Sequence, residues 1–172
     1  MGCQYGNMQR VTLNLTTYSI MQWHSRTGTM AKALAKSFPK IECKVFDLPH
    51  VVDGLQGNDN LNYVGGDMFK KIPPTDAILL KECVKILKNC KDAIAKKGKE
   101  GKVIIIDMVR EKEKGNDETI ETQLSFDMLM MVLFTAKERN KEEWIKLISL
   151  AGFSNYKITP VLGLRSVIEI YP

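Results

Sequence analysis

Three aspartates stand at the ends of apolar runs in this chain of 172 residues. Asp47 closes Ile41-Glu42-Cys43-Lys44-Val45-Phe46, where apolar and polar residues alternate as in a strand. Asp67 follows Leu61-Asn62-Tyr63-Val64 after the turn residues Gly65 and Gly66, and Asp107 follows the continuously apolar Val103-Ile104-Ile105-Ile106. A carboxylate at the end of a second strand suits a ribose diol, since its two oxygens can accept from two hydroxyls. Any one of these acids could as well close a turn or cap a helix. Three on the ligand edge of one sheet are less easily explained that way. Gly28, in Arg26-Thr27-Gly28-Thr29, lies between a strand-like and a helix-like segment. A backbone there can approach a ligand closely, and the helix amino terminus favours a carboxylate, although a lone glycine before a helix also serves as a plain turn.

The elements that must position these residues follow from periodicity. Tyr18–Trp23 reads as a strand, and Met30–Phe38 as a helix ended by Pro39. His50–Leu55 suggests a short helix, Pro73-Pro74 a loop, and Asp76–Leu80 a buried strand. Cys83–Ala95 is amphipathic, with Val84, Leu87, Cys90 or Lys91, and Ile94 on one face. Ile104–Ile106 belongs to a strand covered on both faces. After the charged loop Arg110–Glu118 come an apolar, Met-rich helix over Thr119–Phe134 and a second helix over Lys141–Ala151. Asn140 and Glu143 form a capping box for the latter, and Gly152 ends it. Tyr156–Pro160 and Ser166–Tyr171 close the chain as an antiparallel pair. The order β-α-β-α-β-β-α-β-α-α-β-β predicts an α/β fold, a mostly parallel sheet with helices on both faces. Right-handed crossovers put the carboxyl ends of the parallel strands on one edge, where ligands of open sheets bind.

Composition removes several other functions. The net charge of +5 comes from 25 basic and 20 acidic residues, but acidic residues interrupt the lysine runs and no aromatics alternate with them. Such runs are solvated helix ends and loops, so no nucleic acid is expected as partner. Cys3, Cys43, Cys83 and Cys90 form no CxxC pair and no histidine lies at ligand spacing, so no metal is expected and the thiols read as buried or half-buried in a reducing compartment. No apolar run reaches membrane-spanning length, and the first residues lack the pattern of a secretory signal. Gly2-Cys3 is not followed by the Ser or Thr of a myristoylation signal, because position 6 is Gly. Cytoplasmic residence is the expectation.

The motifs taken together are more specific. Val45-Phe46-Asp47-Leu48-Pro49-His50-Val51-Val52, Tyr63-Val64-Gly65-Gly66-Asp67-Met68-Phe69 and Ala77-Ile78-Leu79-Leu80-Lys81 come in turn. Ile106-Asp107-Met108-Val109, Ala136-Lys137-Glu138-Arg139-Asn140 and Ala151-Gly152-Phe153 continue the series. In this order and spacing, from about Thr27 onward, the chain resembles the carboxy-terminal domain of the plant S-adenosylmethionine-dependent O-methyltransferases. The ending Ile168-Glu169-Ile170-Tyr171-Pro172 resembles their isoflavonoid-methylating branch. The resemblance implies a Rossmann-like methyltransferase fold over residues 23–172, S-adenosyl-L-methionine as cofactor, and a small aromatic phenol of flavonoid or isoflavonoid type as substrate. It implies that Asp47 binds the ribose, Asp67 and Met68 the adenine, Lys81 the cofactor, and Gly28 its amino-acid end. Asp107 and Glu138 match the two acids that orient the family's catalytic histidine, and Met131 falls where the family clamps an aromatic substrate, a position that plain helix core would also explain.

The same resemblance marks departures. After Leu79-Leu80-Lys81 the family carries a segment containing the histidine that deprotonates the phenol; here Lys81 runs directly into Glu82-Cys83-Val84-Lys85-Ile86. About nine residues are missing, two to three turns if helical. His24 and His50 match no general base, and a positioned base contributes about 10²–10⁴-fold, so the alternative is a catalytically impaired relative acting as a cofactor-binding or pairing module. His24-Ser25-Arg26 replaces the family's glycine cluster beside Gly28, so side chains crowd a backbone meant to touch the cofactor. Residues 1–22 are atypical, and the family's amino-terminal dimerisation domain is expected to be absent, which would leave the apolar face of the Thr119–Phe134 helix uncovered. A dinucleotide-dependent oxidoreductase, the third reading, would also use Asp47, but GxGxxG is absent.

Overall fold

A computed structural model describes residues 19–22, 28–81, 86–96, 101–110, 117–134, 137–162 and 164–172. Several sequence features lie outside these residues: most of the segment 1–22, His24 and the 23–27 turn, Glu82, Cys83, Val84 and Lys85, the lysine run at 97–100, the loop at 111–116, and Ala136.

The chain runs β1 (Ser19–Gln22), α1 (Thr29–Ser37), β2 (Glu42–Asp47), α2 (Pro49–Val52), β3 (Leu61–Gly65), β4 (Ala77–Lys81) and α3 (Leu87–Ala95). It continues with β5 (Lys102–Arg110), α4 (Asp117–Phe134), β6 (Arg139–Asn140), α5 (Lys141–Leu150), β7 (Asn155–Leu162) and β8 (Arg165–Tyr171). The sheet order is β3-β2-β1-β4-β5-β8-β7, with β6 paired to the end of β5. β1 to β5 are parallel to one another, and β8 runs antiparallel to both β5 and β7. The fold is therefore the α/β arrangement expected, down to the closing antiparallel pair. The order reverses at β1, which has β2 on one side and β4 on the other, so the crevice of the sheet opens at their carboxyl ends.

Local chemistry explains where the helices begin and end. Gly28 sits at φ 62°, ψ 29°, and its carbonyl accepts the first α1 bond from Lys32 N at 2.8 Å. Pro39 then denies the helix a further donor. Pro49 occupies the first turn of α2, where a missing N–H costs nothing and the fixed φ is already helical. At α5, Asn140 Oδ1 accepts from Glu143 N at 2.9 Å while Asn140 N donates to Glu143 Oε2 at 3.0 Å, so the capping box is reciprocal. Gly152, at φ 83°, ends it.

The sheet separates two cores. Ala31, Leu34 and Ala35 of α1 pack on one face against Cys43, Val45, Leu79, Ile104 and Ile106. On the other, Leu87, Cys90 and Ile94 of α3 with Trp144 and Ile148 of α5 cover Ile78, Leu80, Ile105 and Ile168. Of the two residues that could have faced inward on α3, Cys90 is the buried one, and Lys91 turns its ammonium to Gly152 O and the Phe153 ring. α4 differs: Met128, Met131 and Val132 are 64%, 59% and 78% exposed. Helix core therefore does not account for Met131, and the expected uncovered apolar face of this helix is present.

Candidate functional site at the carboxyl edge of the sheet

Asp47 ends β2 with only 8% of its surface exposed. Its Oδ1 accepts from Leu48 N at 2.8 Å, and Oδ2 has no hydrogen-bond partner among the described residues. A nearly buried carboxylate with one uncommitted oxygen is suited to receive a hydroxyl donor. Asp47 pairs in register with Gly65, and Gly66 N donates to Asp47 O at 2.8 Å, so the exit of β3 folds directly against the exit of β2.

The two glycines make that approach possible. A Cβ on Gly66 would lie 2.5 Å from Phe46 Cε2, and one on Gly65 would lie 3.1 Å from Pro49 Cα. Asp67 is thus held two residues past the register partner of Asp47. Its Oδ1 accepts from Phe69 N at 2.9 Å, its Oδ2 lies 3.9 Å from Lys70 Nζ, and its carbonyl starts a turn by accepting from Lys70 and Lys71. Asp67 remains part-exposed, whereas Met68 points inward, 3% exposed, among Phe46, Ile72 and Leu80. Leu48 and Phe69, 41% and 60% exposed, follow the two acids and give the edge an apolar rim. Gly28 is buried against the same corner. A Cβ there would lie 2.7 Å from Val45 Cγ2 and 3.3 Å from Tyr63 Oη, so packing and its positive φ already require glycine. Lys81 ends β4, with its backbone paired to Ile106.

A second group lies on the far side of the switch point. Asp107 is half-buried on β5, where it pairs with Ser166 and its Oδ1 accepts from Met108 N at 2.8 Å. β6 pairs with β5 through Val109 and Arg139, which sets Glu138 at the level of Met108, one step beyond Asp107. Met108 O accepts from the fully buried Trp144 Nε1 at 3.4 Å, and the Arg139 guanidinium stands 5.6 Å over the Trp144 ring. The two groups do not touch: β2 and β5 are three strand spacings apart, about 14 Å at ~4.8 Å each. His50 sits exposed on α2, beside the first group and remote from the second. Among the described residues no group of three metal-ligating side chains occurs.

Sequence reasoning overlooked Asp127. Its Oδ1 accepts from Glu138 N and its Oδ2 from Arg110 Nη1, each at 2.7 Å. The available signal was a lone charge in the mostly apolar run Leu124–Leu133. It overlooked Leu48 and Phe69 as well, although apolar residues directly after strand-end acids are readable as a rim.

Asp107 lies within β5, which runs on to Arg110, and does not follow the strand as its sequence suggested. A parallel sheet that reverses at β1, with carboxylates at the end of β2, just past β3 and within β5, and an antiparallel β8-β7 pair, defines a Rossmann-like fold of methyltransferase type. Residues 14–154 match the O-methyltransferase domain family, and the chain belongs to it. It is 62% identical over 157 residues to Probable O-methyltransferase 3 of Humulus lupulus, covering 85% of this chain and 42% of that protein. It is 58% identical over 155 residues to the Trans-resveratrol di-O-methyltransferase of Vitis vinifera, covering 85% and 43%. It is 54% identical over 155 residues to the Isoflavone 4'-O-methyltransferase of Glycyrrhiza echinata, covering 85% and 42%. The chain thus spans less than half the length of these relatives. In fold it is similar to CalO1, a methyltransferase in calicheamicin biosynthesis solved in its SAH-bound form, with TM-score 0.75, 22% identity, and 91% of this chain and 49% of that one covered.

Proposed function

We propose that residues 23–172 form an S-adenosylmethionine-binding domain that serves methyl transfer to a phenolic hydroxyl of a flavonoid or isoflavonoid-type acceptor. The observation that carries this reading is Asp47, a nearly buried carboxylate at the β2 end with a free oxygen, backed by Asp67 across the β2–β3 pair, in a chain of the O-methyltransferase family. When bound, S-adenosylmethionine supplies a methyl group made electrophilic by its sulfonium. Asp47 accepts from the ribose hydroxyls, Asp67 accepts from the adenine amine, Leu48 and Phe69 give the base an apolar rim, and Met68 backs that surface from the core beneath it. Gly28 and Lys81 serve the amino-acid end and the cofactor's other polar contacts. On the second group, Asp107 and Glu138 stand for the two acids that orient the family's catalytic histidine, and Met131, exposed on α4, contacts the aromatic acceptor. The name of the Vitis vinifera relative, which specifies resveratrol, supports a phenolic acceptor, and that of the Glycyrrhiza echinata relative, which specifies isoflavone, supports the isoflavonoid type.

A second reading, a relative that binds its ligands with impaired turnover, is favoured by the histidines. The sequence holds only His24 and His50, and His50 stands on the β2 side of the sheet, about 14 Å from the Asp107 strand. A positioned base contributes about 10²–10⁴-fold. The test is transfer of labelled methyl from S-adenosylmethionine to trans-resveratrol and to an isoflavone. Turnover at a rate ordinary for enzymes, on the order of 1 per second or above, supports the first reading and removes the second. Binding of both ligands with turnover lower by two or more decades supports the second.

A further inference from the structure

We propose that Asp127 is a positioning residue for the acceptor side of the site, a single carboxylate that holds Glu138 and the Met131 face of α4 in one frame with β5. The proposal rests on the reading above that Glu138 and Met131 serve the acceptor. Both carboxylate oxygens are committed, Oδ1 to the backbone N–H of Glu138 and Oδ2 to Arg110 Nη1, each at 2.7 Å. The Asp127 and Arg110 side chains are 17% and 26% exposed, so water screens the pair only in part. These are short, charge-assisted bonds, the stronger kind. They join three separate pieces of chain: the middle of α4, the carboxyl end of β5, and the entry to β6.

Apolar packing does not fix this stretch of α4. Met128, Leu129, Met131 and Val132 are all exposed, and Met131 lies one turn from Asp127 on the neighbouring surface of the helix. Glu138 precedes β6, whose two-residue pairing to β5 sets its level along that strand but does not join it to α4. The Asp127 carboxylate therefore ties the Met131 stretch of α4 to Glu138 and, through Arg110, to the strand that carries Asp107. The cofactor side is built on β2 and β3, three and four strand positions away from β5.

The test uses the full 172-residue chain and two variants, Asp127→Ala and Asp127→Asn, followed by amide hydrogen exchange and by titration with S-adenosylhomocysteine and trans-resveratrol. In Asp127→Ala, exchange at the Glu138 amide and across the α4 peptide should rise about tenfold or more, because the bonds that close this region are gone. Resveratrol affinity should fall about tenfold while S-adenosylhomocysteine affinity stays within about twofold, since only the acceptor side loses charge-assisted bonds. Asp127→Asn keeps an oxygen to accept from Glu138 N–H, so protection of that amide should return to within about threefold of the parent. Three results would each overturn the proposal: unchanged exchange at Glu138 in Asp127→Ala, equal loss of affinity for both ligands, or a parent chain that binds S-adenosylhomocysteine and not resveratrol. A parent chain that binds no S-adenosylhomocysteine sinks the cofactor reading instead, and the exchange data then decide the Asp127 frame by themselves.

Discussion

At the scale of single residues, side-chain chemistry and backbone geometry make separable demands. Gly28 illustrates this. As a sequence feature it could have been a ligand contact or a turn; its φ of 62° and the 2.7 Å approach to Val45 Cγ2 make glycine obligatory with no ligand present. Gly54 offers the control, with φ +72° and nothing within 4 Å of a Cβ. Replacing Gly54 with Ala should cost only the left-handed strain, about 1–2 kcal/mol. Gly28→Ala should cost that and the clash with Val45, a further ~1–3 kcal/mol as for other overpacked cores. Urea unfolding of both variants measures the difference; equal losses would show that the corner relaxes freely. Asp47 and Asp67 were legible in sequence because each comes at the close of a strand-like run, Asp47 directly and Asp67 after two glycines. Asp127 was not, because its partners lie 11 and 17 positions away and only the tertiary fold brings them to it.

Among the elements, those with a strong period were readable and those without one were not. β5 announces itself by four consecutive branched apolar residues, and α1 by its apolar spacing closed by Pro39. β6 has two residues, which carry no period; its existence follows from β5 extending past its β8 partner and offering Val109 and Arg110 to Arg139 and Asn140. The α5 capping box could be read from Asn140 and Glu143, and it carries a pH signature. The hydrogen bond from Lys137 first, then the one from Asn140 N, hold the Glu143 carboxyl below its ordinary value of 4.5. A carboxyl with a depressed folded pKa stabilises the fold above the unfolded value, and that contribution is lost as pH falls through the folded one. Glu143→Gln should therefore lower the melting temperature at pH 7 and have progressively less effect below about pH 4.5. A variant effect constant from pH 7 to pH 3 would remove the ionised Glu143 from the account.

For the molecule as a whole, topology decides which residues can cooperate. The reversal at β1 gathers Gly28, Asp47 and Asp67 on one side and Asp107 and Glu138 on the other, an arrangement that suits one elongated ligand pair better than one compact catalytic cluster. A mostly parallel sheet was implied by the alternation of strands and helices, whereas the strand order and the separation of the two groups needed the sheet itself. A ribose held by the Asp47 carboxylate is the central proposal, and calorimetric titration of the full chain and Asp47→Asn with S-adenosylmethionine tests it directly. Hydrogen bonds to a charged group are worth about 1.5–3 kcal/mol each, so the parent should bind and Asp47→Asn should bind about ten- to a hundredfold more weakly. A parent chain that gives no binding heat, or an Asp47→Asn variant that binds as tightly as the parent, would contradict it.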